Sequence, residues 1–115
     1  MPELIRRISW LKAARKEFDR FPQGVQIDMA TALTEAARGR KADIAKPFKG
    51  LIGGVFEIAI RHRGDAFRAI YAVQIGEDIW VIDAFQKKSK SGIKTPQVDL
   101  DRIKERLKRL KEALQ

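Results

Sequence analysis

GGVFEIAIRHRGDAFRAIYAVQIGEDIWVIDAFQKK, the stretch from Gly53 to Lys88, decides the fold, because it holds the only sustained β pattern in the chain. Phe56, Ile58 and Ile60 alternate with Val55, Glu57, Ala59 and Arg61, the period-two signature of a strand with one apolar face. His62-Arg63-Gly64-Asp65 turns the chain. Phe67, Ala69, Tyr71, Val73 and Ile75 then alternate with Arg68, Ile70, Ala72 and Gln74, so the middle strand is apolar on one side and mixed on the other. Gly76-Glu77-Asp78 supplies a second turn, and the run Ile79-Trp80-Val81-Ile82 leads through Asp83-Ala84-Phe85 to Gln86-Lys87-Lys88. The stretch reads as a three-stranded antiparallel meander with basic residues at its first turn, on its mixed face and at its end.

The N-terminal third carries helical spacing. Leu4-Ile5-Arg6-Arg7-Ile8 is read as a short first strand, with Ser9 placed to cap a helix bearing Leu11, Ala14, Phe18 and Phe21. Pro22 suits the first turn of a second helix, where Val25, Met29, Ala32 and Ala36 recur and Gly39 is placed to end it in a left-handed conformation. The two make an αα-hairpin. The segment Ala45-Lys46-Pro47-Phe48-Lys49-Gly50 reads as a basic loop, since Pro47 argues against regular structure. Gly50, Gly53 and Gly54 do not form a nucleotide loop, because no Gly-Lys-Ser/Thr closes the pattern and a strand follows where a helix is required.

Beyond the meander, residues 87–96 are a basic segment ending at Pro96, and Thr95 or Asp99 is the expected cap of a final helix. Leu100, Ile103, Leu107, Leu110 and Leu114 form a narrow apolar stripe on it, with Arg102, Lys104, Arg106, Lys108, Arg109 and Lys111 over its other faces. Such a stripe either docks on the sheet or also meets a partner.

The chain has 115 residues and a formal net charge of +9, which suits one domain with an anionic partner, nucleic acid first and an acidic protein second. With no cysteine and one histidine, disulfides and thiolate chemistry are excluded and a metal site is not expected. No apolar run approaches the ~20 residues of a membrane span, so the expectation is a cytoplasmic protein without membrane contact.

Particular words sharpen the picture. Ile8-Ser9-Trp10, Phe21-Pro22, Ala45-Lys46-Pro47-Phe48-Lys49-Gly50, Val55-Phe56-Glu57-Ile58 and Phe67-Arg68-Ala69-Ile70-Tyr71 resemble the RelE/ParE toxin superfamily of type II toxin-antitoxin systems. Ala84-Phe85-Gln86-Lys87-Lys88-Ser89 and Gly92-Ile93-Lys94-Thr95-Pro96 resemble its phage-derived, HigB-like branch, and the resemblance spans nearly the whole chain. It implies a RelE-like α+β fold: an N-terminal αα-hairpin packed on a small antiparallel sheet, with a C-terminal basic helix. It also implies an mRNA interferase, a ribosome-dependent endoribonuclease with no cofactor. The implied partners are mRNA, the ribosome and a helix-turn-helix antitoxin that silences it in a hetero-oligomer. The alternatives are a ParE-like gyrase inhibitor or a non-catalytic phage-derived nucleic-acid-binding protein. Where that branch often carries His before Ala-Phe this chain has Asp83, and where RelE relatives carry paired lysines on the first meander strand it has Glu57 and Ala59.

Metal-free RNA cleavage needs a group to take the 2′-OH proton, cations for the phosphorane charge and an acid for the leaving 5′-oxygen. Arg68 is the candidate phosphate clamp, since a guanidinium stays charged and binds phosphate through a fork; otherwise it is a structural ion pair with Glu57 or Asp83. Lys87 and Lys88 are candidate phosphate holders or proton donors, or else exposed linker charges. Glu57 is a candidate base and His62 a candidate acid or base, although His62 sits in a predicted turn. Arg61, Lys46, Lys49, Lys90 and Lys94 complete the expected RNA-binding set. Tyr71, Trp10 and Trp80 are assigned to the core.

Overall fold

The computed structural model describes residues 5–48, 53–87 and 95–114. Their element order is β1 (Ile8–Trp10), α1 (Lys12–Phe18), α2 (Gln23–Ala37), β2 (Ala45–Pro47), β3 (Val55–His62), β4 (Asp65–Ala72), β5 (Ile79–Lys87) and α3 (Gln97–Ala113). The meander forms as its alternation predicts, and two more strands widen it to five in the order β1-β5-β4-β3-β2. The turn between β3 and β4 has two central residues, Arg63 at φ 51° and Gly64 at φ 85°, the doubly positive geometry of a tight hairpin. Gly64 adopts it freely, while Arg63 bears roughly 1 kcal/mol of Cβ strain.

β1 pairs parallel with β5 from Ile8↔Ile79 to Trp10↔Val81. The strand therefore lies later than the sequence reading placed it, and Ser9 is inside it instead of capping α1. Ser9 Oγ donates to Asp78 Oδ2 at 2.6 Å, and the Arg6 guanidinium donates to the carbonyls of Val73, Glu77 and Asp78. These contacts outweigh a cap, so α1 starts after Leu11 with no side-chain cap. α2 ends as expected: Gly39 has φ 82°, its N–H donates to Ala36 O, and Arg40 N–H donates to Glu35 O.

The segment read as a loop is strand β2, paired antiparallel with β3 through Ala45↔Ile58, Lys46↔Glu57 and Pro47↔Phe56. Phe48 N–H donates to Val55 O, and antiparallel bonding alternates, so Pro47 falls at a position that needs no donor. Proline is therefore compatible with this edge strand.

Helices pack on both faces of the sheet. On one face, Phe18, Phe21, Val25, Met29 and Leu33 of the αα-hairpin pack on Ile58, Phe67, Tyr71 and Val81. On the other, Ile103, Leu107 and Leu110 of α3 pack on Ile70, Ile82 and Phe85. Thus α3 docks on the sheet through its stripe, though Leu114 remains 47% exposed. It begins after Pro96 with no side-chain cap, so neither Thr95 nor Asp99 caps it. Among the described residues no helix is long and apolar enough to cross a membrane.

A register shift in β5 fixes how α3 is held. Tyr71 pairs with Val81 and Ile70 with Asp83, so Ile82 is an extra residue. The bulge turns consecutive residues Ile82 and Asp83 toward the α3 face. Asp83, with its side chain 2% exposed, accepts from Arg106 at 2.8 Å and Arg102 at 2.9 Å. Burial still outweighs the two guanidiniums and leaves the Asp83 carboxyl above its ordinary value.

Candidate active site

α3 does not cover the whole face it packs on. Past Ile70 and Phe85 the alternation of three strands continues with charged residues: Glu57 and Arg61 from β3, Arg68 from β4 and Lys87 from β5. Lys46 joins from β2, directly across from Glu57. Period-two geometry makes this grouping unavoidable once the register is set, since residues two apart share a face and paired residues point the same way. Four cations and one carboxylate thus share one end of the sheet.

Arg68 is the centre of the group. Its Nη1 donates to Glu57 Oε2 at 2.7 Å, and it is only 8% exposed. The sequence reading offered Glu57 or Asp83 as its carboxylate; the partner is Glu57, because Asp83 is engaged by α3. Phe85, in register with Arg68, lies under the Arg102 guanidinium at 5.5 Å from the ring centroid. The apolar floor of α3 therefore adjoins the charged cluster.

Lys87 is not an exposed linker charge. It is the last residue of β5 and 6% exposed. Burial pushes its ammonium below the ordinary lysine range, Arg68 and Arg61 push it further, and Glu57 pulls back. A lysine held this way gives up its proton more readily than one in water. Beside it, Arg68 offers fixed positive charge and Glu57 a carboxylate.

His62 does not join them. Its parity on β3 places it on the αα-hairpin face, where its ring lies 6.5 Å from that of Phe67. Tyr71 is likewise on that face, stacked on Phe56 at 5.4 Å, and burial raises its hydroxyl to about 12. Lys49, Lys88, Lys90 and Lys94 lie outside the described residues. What the sequence reading missed is the inward turn of Arg102 and Arg106, counted among the outer basic coat of the last helix. Their spacing of four puts both on one side of the helix, but only the bulge brings Asp83 beneath them. Among the described residues no group of three or more His, Cys, Asp or Glu side chains is placed to hold a metal ion.

Comparison with known proteins agrees with this architecture. No curated protein sequence matches the chain. The free-state structure of an Escherichia coli RelE toxin mutant superposes with a TM-score of 0.63 at 16% identity, over 91% of this chain and 97% of that one. The isolated Escherichia coli RelE toxin gives 0.53 at 17% identity, over 87% and 97%. The profile of the family described as "Phage derived protein Gp49-like" matches residues 16–108, most of the chain. With its five-stranded sheet, αα-hairpin and docked C-terminal helix, the chain has the fold of the RelE toxins and belongs to the Gp49-like family of phage-derived proteins.

Proposed function

We propose that this protein is the toxin of a type II toxin-antitoxin system and cleaves mRNA on the ribosome. The observation that carries the reading is the cluster of Arg68, Lys87, Arg61 and Lys46 around Glu57 on a RelE-like sheet. In the proposed reaction the 2′-oxygen attacks the adjacent phosphorus, the P–O5′ bond breaks, and the products are a 2′,3′-cyclic phosphate and a 5′-hydroxyl. Arg68 and Arg61 stabilise charge on the non-bridging oxygens, Arg68 as a fork held in place by Glu57. Lys87, whose burial and cationic neighbours favour the neutral amine, takes the 2′-hydroxyl proton, and solvent water returns a proton to the leaving 5′-oxygen. These side chains supply the positive charge the transition state needs, so no metal enters the proposed step. A protein working on ribosomes would act in the cytoplasm, and an antitoxin of the helix-turn-helix class would hold it inactive.

The test is a translating extract given a capped reporter mRNA, with cleavage ends mapped, and a gyrase supercoiling assay in parallel. Cleavage that stops when translation is blocked, with supercoiling unaffected, supports the proposal. Inhibited supercoiling with intact mRNA overturns it in favour of a ParE-like activity.

A further inference from the structure

Among the described residues, the edge of the sheet next to the candidate site is open. β2 pairs with β3 only from Phe56 to Ile58, so no described strand lies beyond the last four residues of β3, Ala59 to His62. Register fixes which groups face outward. His62 and Asp65 close the two-residue hairpin, so alternate residues Ile60 and His62 bond toward β4, while the N–H and C=O of Ala59 and Arg61 point out of the sheet. Phe48 N–H, bonding outward-facing Val55 O, confirms the parity. No described residue hydrogen-bonds these outward groups of Ala59 and Arg61.

Along this edge runs a groove of about 440 Å³ between β3 and α2, walled by Asp28 and Thr31 on the helix, by Asp43 and Ile44, and by Ala59 and Ile60. Ile44 is 41% exposed and Ile27, one turn from Thr31, is 58% exposed. A helix set beside an unpaired strand edge, with apolar surface between them, is the geometry that receives an extended peptide as an added strand. The two sides of such a strand would meet opposite charges. Side chains level with Ala59 and Arg61 would fall on the face of Arg61 and Lys46, and those level with Ile60 on the groove side, beside Asp28 and Asp43.

We propose that this edge binds an extended segment of a protein partner as an added strand. Acidic residues of the segment lie over Arg61 and Lys46, and the alternate apolar residues enter the groove. A second copy of this chain does not fit, because its net charge is also +9 and edge-to-edge pairing would bring Arg61 toward its own counterpart. Insofar as the partner is the antitoxin, the proposal rests on the toxin reading. The added strand would then place carboxylates against the cations proposed to bind RNA phosphate, making inhibition a competition for the same charges.

The probe is a short end-capped peptide alternating glutamate and valine, titrated into isotope-labelled protein and followed by amide resonances and hydrogen exchange, with a lysine-valine peptide as control. Exchange at the Ala59 and Arg61 amides is expected to slow about tenfold or more at saturation, and the lysine peptide to bind at least about tenfold more weakly. Thr31→Trp, which fills the groove from an exposed helix position, should abolish binding while leaving RNA cleavage intact. Thr31→Arg is the second blocking variant should Trp fail to fold. Unchanged exchange at Ala59 and Arg61, equal binding of the lysine peptide, or wild-type binding by the groove-blocked variant overturns the proposal. RNA cleavage is measured on the same protein without peptide. Peptide binding with no cleavage supports the groove and sinks the nuclease; cleavage with no peptide binding sinks the groove alone.

Discussion

Arg68 and Lys87 are both buried, and burial changes how their proposed roles are best tested. Arg68→Ala would strip Glu57 of a 2.7 Å partner in a mostly covered site, at a stability cost on the order of 1–3 kcal/mol. Loss of function in that variant would be ambiguous. Arg68→Lys keeps the charge and most of the volume but replaces the fork with a point charge. If the fork stabilises the phosphorane, cleavage should fall about 10²–10³-fold, the effect of ~3–4 kcal/mol, with little change in melting temperature. Lys87 gives a pH signature. Burial and Arg68 lower its proton affinity, so the neutral amine appears at lower pH than for a free lysine, whose ordinary value is 10.5. Single-turnover cleavage should rise with pH to a plateau that begins below that value, and Lys87→Met should remove the rising limb as well as lowering the rate. Arg68, Glu57 and Arg61 could be set on one face because alternation assigns a face without any structure, whereas Lys46 stood in a segment that reads as a basic loop. The burial of Lys87 was not, since a lysine at the end of an apolar run reads equally as a strand end or a linker charge.

At the scale of elements, the meander and the end of α2 followed from local rules, and the misplacements trace to tertiary contacts that local rules do not contain. Ser9 is a good cap, yet Asp78, 69 residues away, takes its hydroxyl. Pro47 argues against a strand until one knows that it faces a non-bonded position on β3. The bulge at Ile82 carries no sequence signal, although it decides which residues hold α3. Two measurements test the packing. Leu107→Asp would bury a carboxylate among Ile103, Leu110 and Ile70, costing on the order of 2–5 kcal/mol, and the melting temperature should fall by tens of degrees or folding should fail. An unchanged melting temperature would mean that α3 is not docked through its stripe. Tyr71 tests the other face. Its hydroxyl is raised from 10.0 to about 12, so the unfolded chain releases this proton first as pH rises. The stabilising effect is fully present below pH 10 and is lost on passing toward pH 12, about 2–3 kcal/mol in all. Wild-type protein should therefore lose stability more steeply across that interval than Tyr71→Phe.

At the scale of the whole molecule, a net charge of +9 would make the proposed encounter with RNA an electrostatic event. Affinity for a single strand should fall with salt at a logarithmic slope of roughly −0.7 per phosphate neutralised. Removing Lys46 or Arg61 should reduce that slope by about one contact each, whereas a salt-independent affinity would deny the field any role. The proposed nuclease activity is tested by mapping reporter-mRNA ends in a translating extract containing wild-type or Arg68→Lys protein. Ribosome-dependent cuts ending in a 2′,3′-cyclic phosphate are expected with the wild type, and cutting reduced about 10²–10³-fold with the lysine variant. Intact mRNA with the wild type, or equal cutting by both proteins, would contradict it.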